Sequence, residues 1–215
     1  MPITERLRRA RLYLVCDDRP DPFLRAALSG GVDIVQLRMK GAPDDAIVSA
    51  SRRFGRICAE HGASLILNDR PDLVEAAGAD GVHLGQDDAS VAEARKAVGR
   101  GRVVGLSTHS PAQIDAAGDA DVDYIGVGPV HETPTKPGRP AVGLELVEYA
   151  AACATVPFFA IGGISSANAR AVRAAGARRI AVVRALTEST DPELAARELR
   201  TLIAGVPEEV PVGPA

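Results

Sequence analysis

Tryptophan is absent from the 215 residues, and aromatic side chains make up only 3% of them. Stacking platforms for bases or sugar rings are therefore scarce. Excess charge of one sign is also lacking: 25 Lys and Arg stand against 28 Asp and Glu, a formal net charge of -3. No basic run or stripe offers a track for a phosphate backbone, so nucleic acid is not an expected partner. The three cysteines, Cys16, Cys58 and Cys153, lie far apart, without the paired spacing that zinc or redox motifs require. They read as buried thiols in a reducing, cytoplasmic compartment. The opening MPITERLRRARLYLV carries arginines but no apolar core or small-residue cleavage site, and no run reaches membrane-spanning length. Neither export nor a membrane partner is expected.

What is present suits a compact enzyme-sized domain. At 46% hydrophobic the chain can bury a full core. Short apolar runs rich in β-branched residues recur at 12–15, 33–37, 64–67 and 81–84, and again as RVVGL from 102, DYIGV from 123, PFFAI from 157 and RIAVV from 179. Between them lie Ala-, Arg- and Glu-rich segments of helical period, such as DDAIVSASRRFGRICAEHG and PELAARELRTLIAG. Helix starts are expected at Asp21 with Pro22, Ser90 with Glu93 as a capping box, Ser110 with Pro111 and Gln113, and Asp191 with Pro192. Gly78, Gly99 and Gly176 read as helix stops. Eight strand-helix units in about 200 residues predict the α/β class and a single (β/α)8 TIM barrel, with an open doubly wound sheet as the rival. The barrel is assigned residues 1–204 as the catalytic domain, and the Pro- and Gly-rich 205–215 a short flexible C-terminal tail outside the chemistry.

A parallel barrel binds its ligands at the C-terminal strand ends, so polar residues there carry the functional reading. In QLRMK, period two places Gln36, Arg38 and Lys40 on one face, with Leu37 and Met39 on the other. If the apolar face meets the helices, an amide and two cations point to the barrel axis and call for a polyanion. The alternative is that Arg38 and Lys40 simply reach water past the strand end. Asn68 and Asp69 close the third strand, and GVHLGQDD closes the fourth with Asp87 and Asp88. Paired carboxylates beside cations suit Mg²⁺ held against a diphosphate. Helix capping is the competing use, weakened for Asp88 because Ser90 and Glu93 already cap the following helix. Ser107 is likewise not needed as a cap if Ser110 serves, which leaves its hydroxyl for a ligand or for solvent. His61, His83, His109 and His131 lack a partner at fixed spacing, and none is assigned as a catalytic base.

Residues 126–140, GVGPVHETPTKPGRP, form a long loop with Thr133, Thr135 and Lys136, readable as a mobile cover or as an ordinary solvated loop. AIGGISSAN and AVVRAL follow the seventh and eighth strands, where barrels frequently bind phosphate through backbone N–H groups, although paired glycines also make plain tight turns. The residues thus predict two anion sites over one barrel: cations and a metal pair at strands two to four, and a phosphate cradle at strands seven and eight. Transfer of an organic group from a diphosphate donor to a phosphorylated acceptor is the simplest matching reaction.

The set QLRMK, NDR, ADGVHLGQDD, GLSTH, DYIGVGPVHETPTK and AIGGI resembles the thiamine phosphate synthase family, in order along almost the whole barrel. The resemblance implies a (β/α)8 fold and Mg²⁺-dependent coupling of hydroxymethylpyrimidine diphosphate with a thiazole phosphate, giving thiamine phosphate and diphosphate. It implies pyrimidine diphosphate contacts at Gln36, Arg38, Lys40 and Asn68, Mg²⁺ ligands at Asp69 and Asp88, and Ser107 and Lys136 on the diphosphate side. Thr133 and Thr135 would touch the thiazole phosphate, whose phosphoryl group falls to Gly163 and the Val183–Arg184 backbone. The implied mechanism is dissociative: diphosphate leaves first, a pyrimidine methyl cation forms, and the thiazole nitrogen attacks it. Arg38, Lys40, Ser107 and Lys136 would then do the catalytic work by charge stabilisation. The implied partners are small molecules, and a homo-oligomer is compatible with them. His131, Glu132 and Arg184 depart from the residue types expected there. Two rivals remain, a thiazole tautomerase on the same barrel and a non-catalytic barrel that holds a phosphorylated heterocycle. The first has no use for a diphosphate donor, and the second needs the phosphate cradle without the metal pair.

Overall fold

The computed structural model describes residues 2–133 and 140–204. Eight parallel strands close on themselves in sequence order: β1 (Leu12–Cys16), β2 (Ile34–Leu37), β3 (Ser64–Asn68), β4 (Gly81–Leu84), β5 (Val103–Thr108), β6 (Tyr124–Val127), β7 (Phe158–Ile161) and β8 (Ile180–Val182). β8 pairs with β1, with Leu12 opposite Ile180, so no edge strand is left. This is the (β/α)8 barrel expected from the alternation, and it removes the open-sheet rival.

Period two divides every strand between two cores. Leu12, Leu14, Val35, Leu37, Leu65, Leu67, Val82, Leu84, Ile125 and Val127 face outward into the layer shared with the helices. Tyr13, Val15, Ile34, Ile66, Val103, Tyr124, Phe159 and Ala181 face the axis and fill the inside. Burying each large aliphatic side chain contributes about 1.5–3 kcal/mol, so the outward set is the main source of cohesion between sheet and helices. The helices obey the matching period. In α3 (Asp44–Glu60) the residues Ile47, Ala50, Ser51, Phe54, Ile57 and Cys58 are buried, at the i, i+3, i+4, i+7 spacing of one helix face.

The base of the barrel is stabilised by a repeated device. Asp33, Asp80 and Asp123 each precede an even-numbered strand and accept backbone N–H groups of the preceding strand, at 3.0 Å from Leu12, 2.9 Å from Leu65 and 2.8 Å from Val104. Each carboxylate also meets an arginine: Arg200 at 2.6 Å, Arg6 at 2.8 Å and Arg95 at 2.6 Å. Charged groups at this end are therefore structural. The first helix, α1 (Ile3–Arg9), lies across the same end, with Leu7 packed into the inner core and Arg8 O accepting from Arg179.

The helix signals are met with one change. Ser90 and Glu93 form the full capping box, Ser110 accepts from Gln113 N–H, Asp191 accepts from Leu194 N–H, and Gly78 adopts the left-handed conformation (φ 68°) after α4 (Val74–Ala77). Asp21 is not a cap: it is the first residue of α2 (Asp21–Ser29), and its carboxylate is taken by Arg53. Cys16 and Cys58 are buried as expected, but Cys153 is exposed because it falls on the outer side of α7 (Glu145–Cys153). No helix among the described residues is long and apolar enough to cross a membrane. The tail 205–215 lies outside the described residues.

Candidate active site

A cavity of about 370 Å³ opens at the C-terminal ends of the strands. Its wall takes Gln36, Arg38 and Lys40 from β2 and its loop, Asn68 and Asp69 from β3, His83 and Asp88 from β4 and its loop, and Ser107 from β5. Across the opening stand Thr133, Gly162, Gly163, Val183 and Arg184. Eleven of the thirteen residues predicted from sequence are thus brought to one cavity, and the other two, Thr135 and Lys136, lie outside the described residues. The β2 alternation holds. Gln36 is buried, Arg38 is half-buried and enters no ion pair among the described residues, and Lys40 is exposed at the rim.

Asp69 explains why the third strand stops where it does. Its N–H reaches His83 O at 2.9 Å, completing the pairing with β4, and its own backbone then turns left-handed at φ 63°. It is the sole non-glycine residue among the described residues with positive φ, a conformation that aspartate tolerates better than most and that marks functional sites. The carboxylate lies 2.9 Å from Lys40 Nζ. It also faces Asp88, whose acid is held above the ordinary carboxylate range by partial desolvation first and by Asp69 next. Asp88 Oδ2 accepts from Gly85 N–H at 2.7 Å, so this acid closes its own loop rather than capping α5 (Val91–Val98). Two carboxylates forced together beside Lys40 and Arg38 form an oxygen donor set for a hard divalent cation. No cluster of three or more potential metal-binding side chains occurs among the described residues, so two acids, water and ligand oxygens would have to complete such a site.

The opposite wall is built from backbone. Gly162 and Gly163 adopt φ 107° and 62°, and a Cβ on Gly163 would lie 2.7 Å from His131 Cβ and 2.9 Å from Glu132 O. Only glycine fits there, which leaves the main chain open to close approach by an anion. Val183 precedes α9 (Arg184–Thr187), and Arg184 extends toward Glu188 with 3.8 Å between the charged groups, 45% exposed. Its guanidinium therefore stays at the cavity rim, already facing a carboxylate.

The sequence reading missed the floor. Gln36 Nε2 donates to Tyr13 OH at 2.8 Å, Tyr13 OH and Tyr124 OH are 2.9 Å apart, Tyr124 OH meets His83 Nδ1 at 3.1 Å, and His83 Nε2 meets Ser107 Oγ at 2.9 Å. The Ser107 hydroxyl is thus engaged from below rather than free. Phe159 packs edge-on against both tyrosines, at 5.3 and 5.6 Å. Desolvation pushes both phenols well above their usual range, so they remain protonated donors. The signal was available in two glycines inside strands: a Cβ on Gly105 would sit 2.1 Å from Tyr124 Cζ, and one on Gly126 would sit 3.4 Å from His83 Cε1.

Residues 12–186 match the family model described as thiamine monophosphate synthase. The thiamine-phosphate synthase of Acidothermus cellulolyticus is 50% identical over 205 residues, covering 92% of this chain and 97% of that protein. That of Thermus thermophilus is 48% identical over 204 residues, covering 91% of this chain and 98% of the relative. The solved thiamine phosphate pyrophosphorylase from Pyrococcus furiosus superposes with a TM-score of 0.83 at 30% identity, covering 94% of this chain and 97% of that one.

Proposed function

This chain belongs to the thiamine monophosphate synthase family, and from that premise we propose how its barrel mouth joins hydroxymethylpyrimidine diphosphate to a thiazole phosphate. The activity itself, a transferase step giving thiamine phosphate and diphosphate, accompanies the family and the full-length relatives. The observation that carries the mechanistic reading is the division of one cavity between a charged wall, with Arg38, Lys40, Asp69 and Asp88, and a backbone wall at Gly163 and Val183. Two phosphorylated ligands fit that division, one on each side.

The acids fit Mg²⁺: both are oxygen donors lining one cavity, and the acid of Asp88 is raised by desolvation first and by the facing Asp69 next, both of which a divalent cation would offset. Bound there by Asp69 and Asp88, the ion would supply positive charge toward the diphosphate. Arg38 and Lys40 add two cations on the same side, and Ser107 supplies a hydroxyl at the floor. By resemblance, Lys136 joins them from the loop and Asn68 helps to seat the pyrimidine.

The bond between the pyrimidine methylene carbon and the diphosphate oxygen breaks, and its electron pair leaves with the diphosphate. The thiazole nitrogen then donates its lone pair to the methylene carbon and becomes the thiazolium of the product. No proton changes hands, which agrees with a site where His83, Tyr13 and Tyr124 are tied into the floor. The protein's contribution is charge placed where negative charge grows and an acceptor held in line. Gly163, Val183 and Arg184, with Thr133 and Thr135, would hold the thiazole phosphate on the far wall.

The test supplies both substrates and Mg²⁺ and follows diphosphate release and thiamine phosphate together. Turnover is expected to stop on chelation and to fall with either Asp69→Ala or Asp88→Ala. Full activity of the doubly substituted protein would remove the metal assignment.

A further inference from the structure

The floor of the cavity contains five polar groups from five different strands in one unbroken line, ending at two residues that face the ligand space. Resting on the reading of Gln36 and Ser107 as ligand contacts, we propose that this line is a one-directional hydrogen-bond relay. It holds His83 in the Nε2–H form and aims the Ser107 hydroxyl proton into the cavity, which makes His83, Tyr124 and Tyr13 positioning residues.

The argument is a count of protons. Tyr13 and Tyr124 have relative exposures of 2% and 0%, so each phenolic proton must find an acceptor within the protein. Tyr13 already accepts from the Gln36 amide nitrogen at 2.8 Å, and its proton goes to Tyr124 at 2.9 Å. Tyr124, having accepted that proton, donates its own to His83 Nδ1 at 3.1 Å. A ring that accepts at Nδ1 carries its proton on Nε2 when neutral, and that N–H donates to Ser107 Oγ at 2.9 Å. Ser107 receives a hydrogen bond from below, and its own proton is left for the ligand.

The opposite order exists only with the Gln36 amide turned over. Its carbonyl would then accept from Tyr13, every bond would reverse, and Ser107 would donate to His83 and face the cavity as an acceptor only. The two ends are therefore coupled: the amide atom that Gln36 presents decides whether Ser107 donates. The order found here gives an acceptor at Gln36 and a donor at Ser107, which suits a ligand with an N–H group at one point and a lone pair or anionic oxygen at the other. The space for the Tyr124 ring is reserved by the fold, since a side chain on Gly105 would collide with it, while a Cβ on Gly126 would only come into contact with the His83 ring.

The experiment reads the relay without relying on turnover. Protein labelled with ¹⁵N at its four histidines is examined for the His83 ring nitrogens, assigned by their loss in His83→Gln. A protonated Nε2 and a bare Nδ1 are expected in the wild type, and a mixture of tautomers in Tyr124→Phe, which keeps the ring against Phe159 and removes only the oxygen. Kinetically, Tyr124→Phe is expected to raise KM for the pyrimidine diphosphate by about threefold to tenfold, the scale of one orienting hydrogen bond, with KM for the thiazole phosphate unchanged. His83→Gln, whose amide reaches toward the Nε2 position, should retain more activity than the shorter His83→Asn. A proton on Nδ1 in the wild type, or a Tyr124→Phe protein with unaltered tautomer and kinetics, overturns the relay. A wild-type protein that makes no thiamine phosphate overturns the functional reading instead, and the ring nitrogens still report on the relay by themselves.

Discussion

Lys40 Nζ lies 2.9 Å from Asp69 Oδ2, and the aspartate holds a left-handed backbone to reach it. Strain and ion pair together place a carboxylate at the rim of the barrel instead of along the strand.

The two features separate in substitutions. Asp69→Gly relieves the left-handed backbone and Asp69→Ala does not, so urea unfolding should find the alanine protein less stable by on the order of 1 kcal/mol. Both should lose most of their turnover if the carboxylate holds Mg²⁺ as proposed. If the glycine protein kept its activity, backbone shape rather than the carboxylate would be what the site requires.

Arg38 stands half-buried with no ion pair among the described residues, facing the side where the diphosphate would depart. Arg38→Ala is expected to lower kcat by about a hundredfold to a thousandfold, comparable with the loss of one preorganised donor to a developing anion. The affinity for thiazole phosphate should change little. Equal losses of affinity for both substrates, with kcat intact, would assign the arginine to simple binding.

Gly105 is predicted to resist replacement. Its Cβ would fall 2.1 Å from Tyr124 Cζ, so Gly105→Ala should cost about 1–3 kcal/mol by overpacking. The penalty should shrink in a Tyr124→Ala background. An unchanged penalty there would place the strain in the strand and not in the ring contact.

The three tyrosines give a pH signature. The hydrogen bond to the Asp115 carboxylate, first, and desolvation raise Tyr149 to about 12, while burial, chiefly, raises Tyr13 and Tyr124 further. Each group is raised in the fold, so its stabilising effect is full below the unfolded tyrosine value near 10 and fades as pH climbs through the folded one. Phenolate absorbance should therefore show no tyrosine titrating near pH 10 in the native protein. Stability should fall steadily above that pH, and Tyr13 and Tyr124 should ionise together with unfolding. Tyr13 or Tyr124 titrating at the ordinary value in the native protein would contradict their burial, and Tyr149 doing so would contradict its hydrogen bond to Asp115.

The barrel was legible because its strands repeat a short β-branched run and its helices carry caps that local sequence fixes, as Ser90 with Glu93 shows. The rim was legible for the opposite reason. Arg38, Lys40, Asp69 and Asp88 interrupt apolar runs where a purely structural strand end would not need them. The floor was hidden because Tyr13, His83 and Tyr124 lie within strands far apart in sequence, and the meeting of β1, β4 and β6 side chains inside the barrel is a matter of closure rather than of neighbouring sequence. Helix α1 was missed because its apolar residues are few among arginines whose partners, such as Asp80, come from distant segments.

Helix α1 also settles how traffic must run. With Leu7 packed into the inner core at the far end of the cylinder, the reactants and products share the mouth at the C-terminal strand ends. Ligands seated on facing walls must come and go past each other at that mouth, so the helix turns a packing detail into a constraint on arrivals and exits.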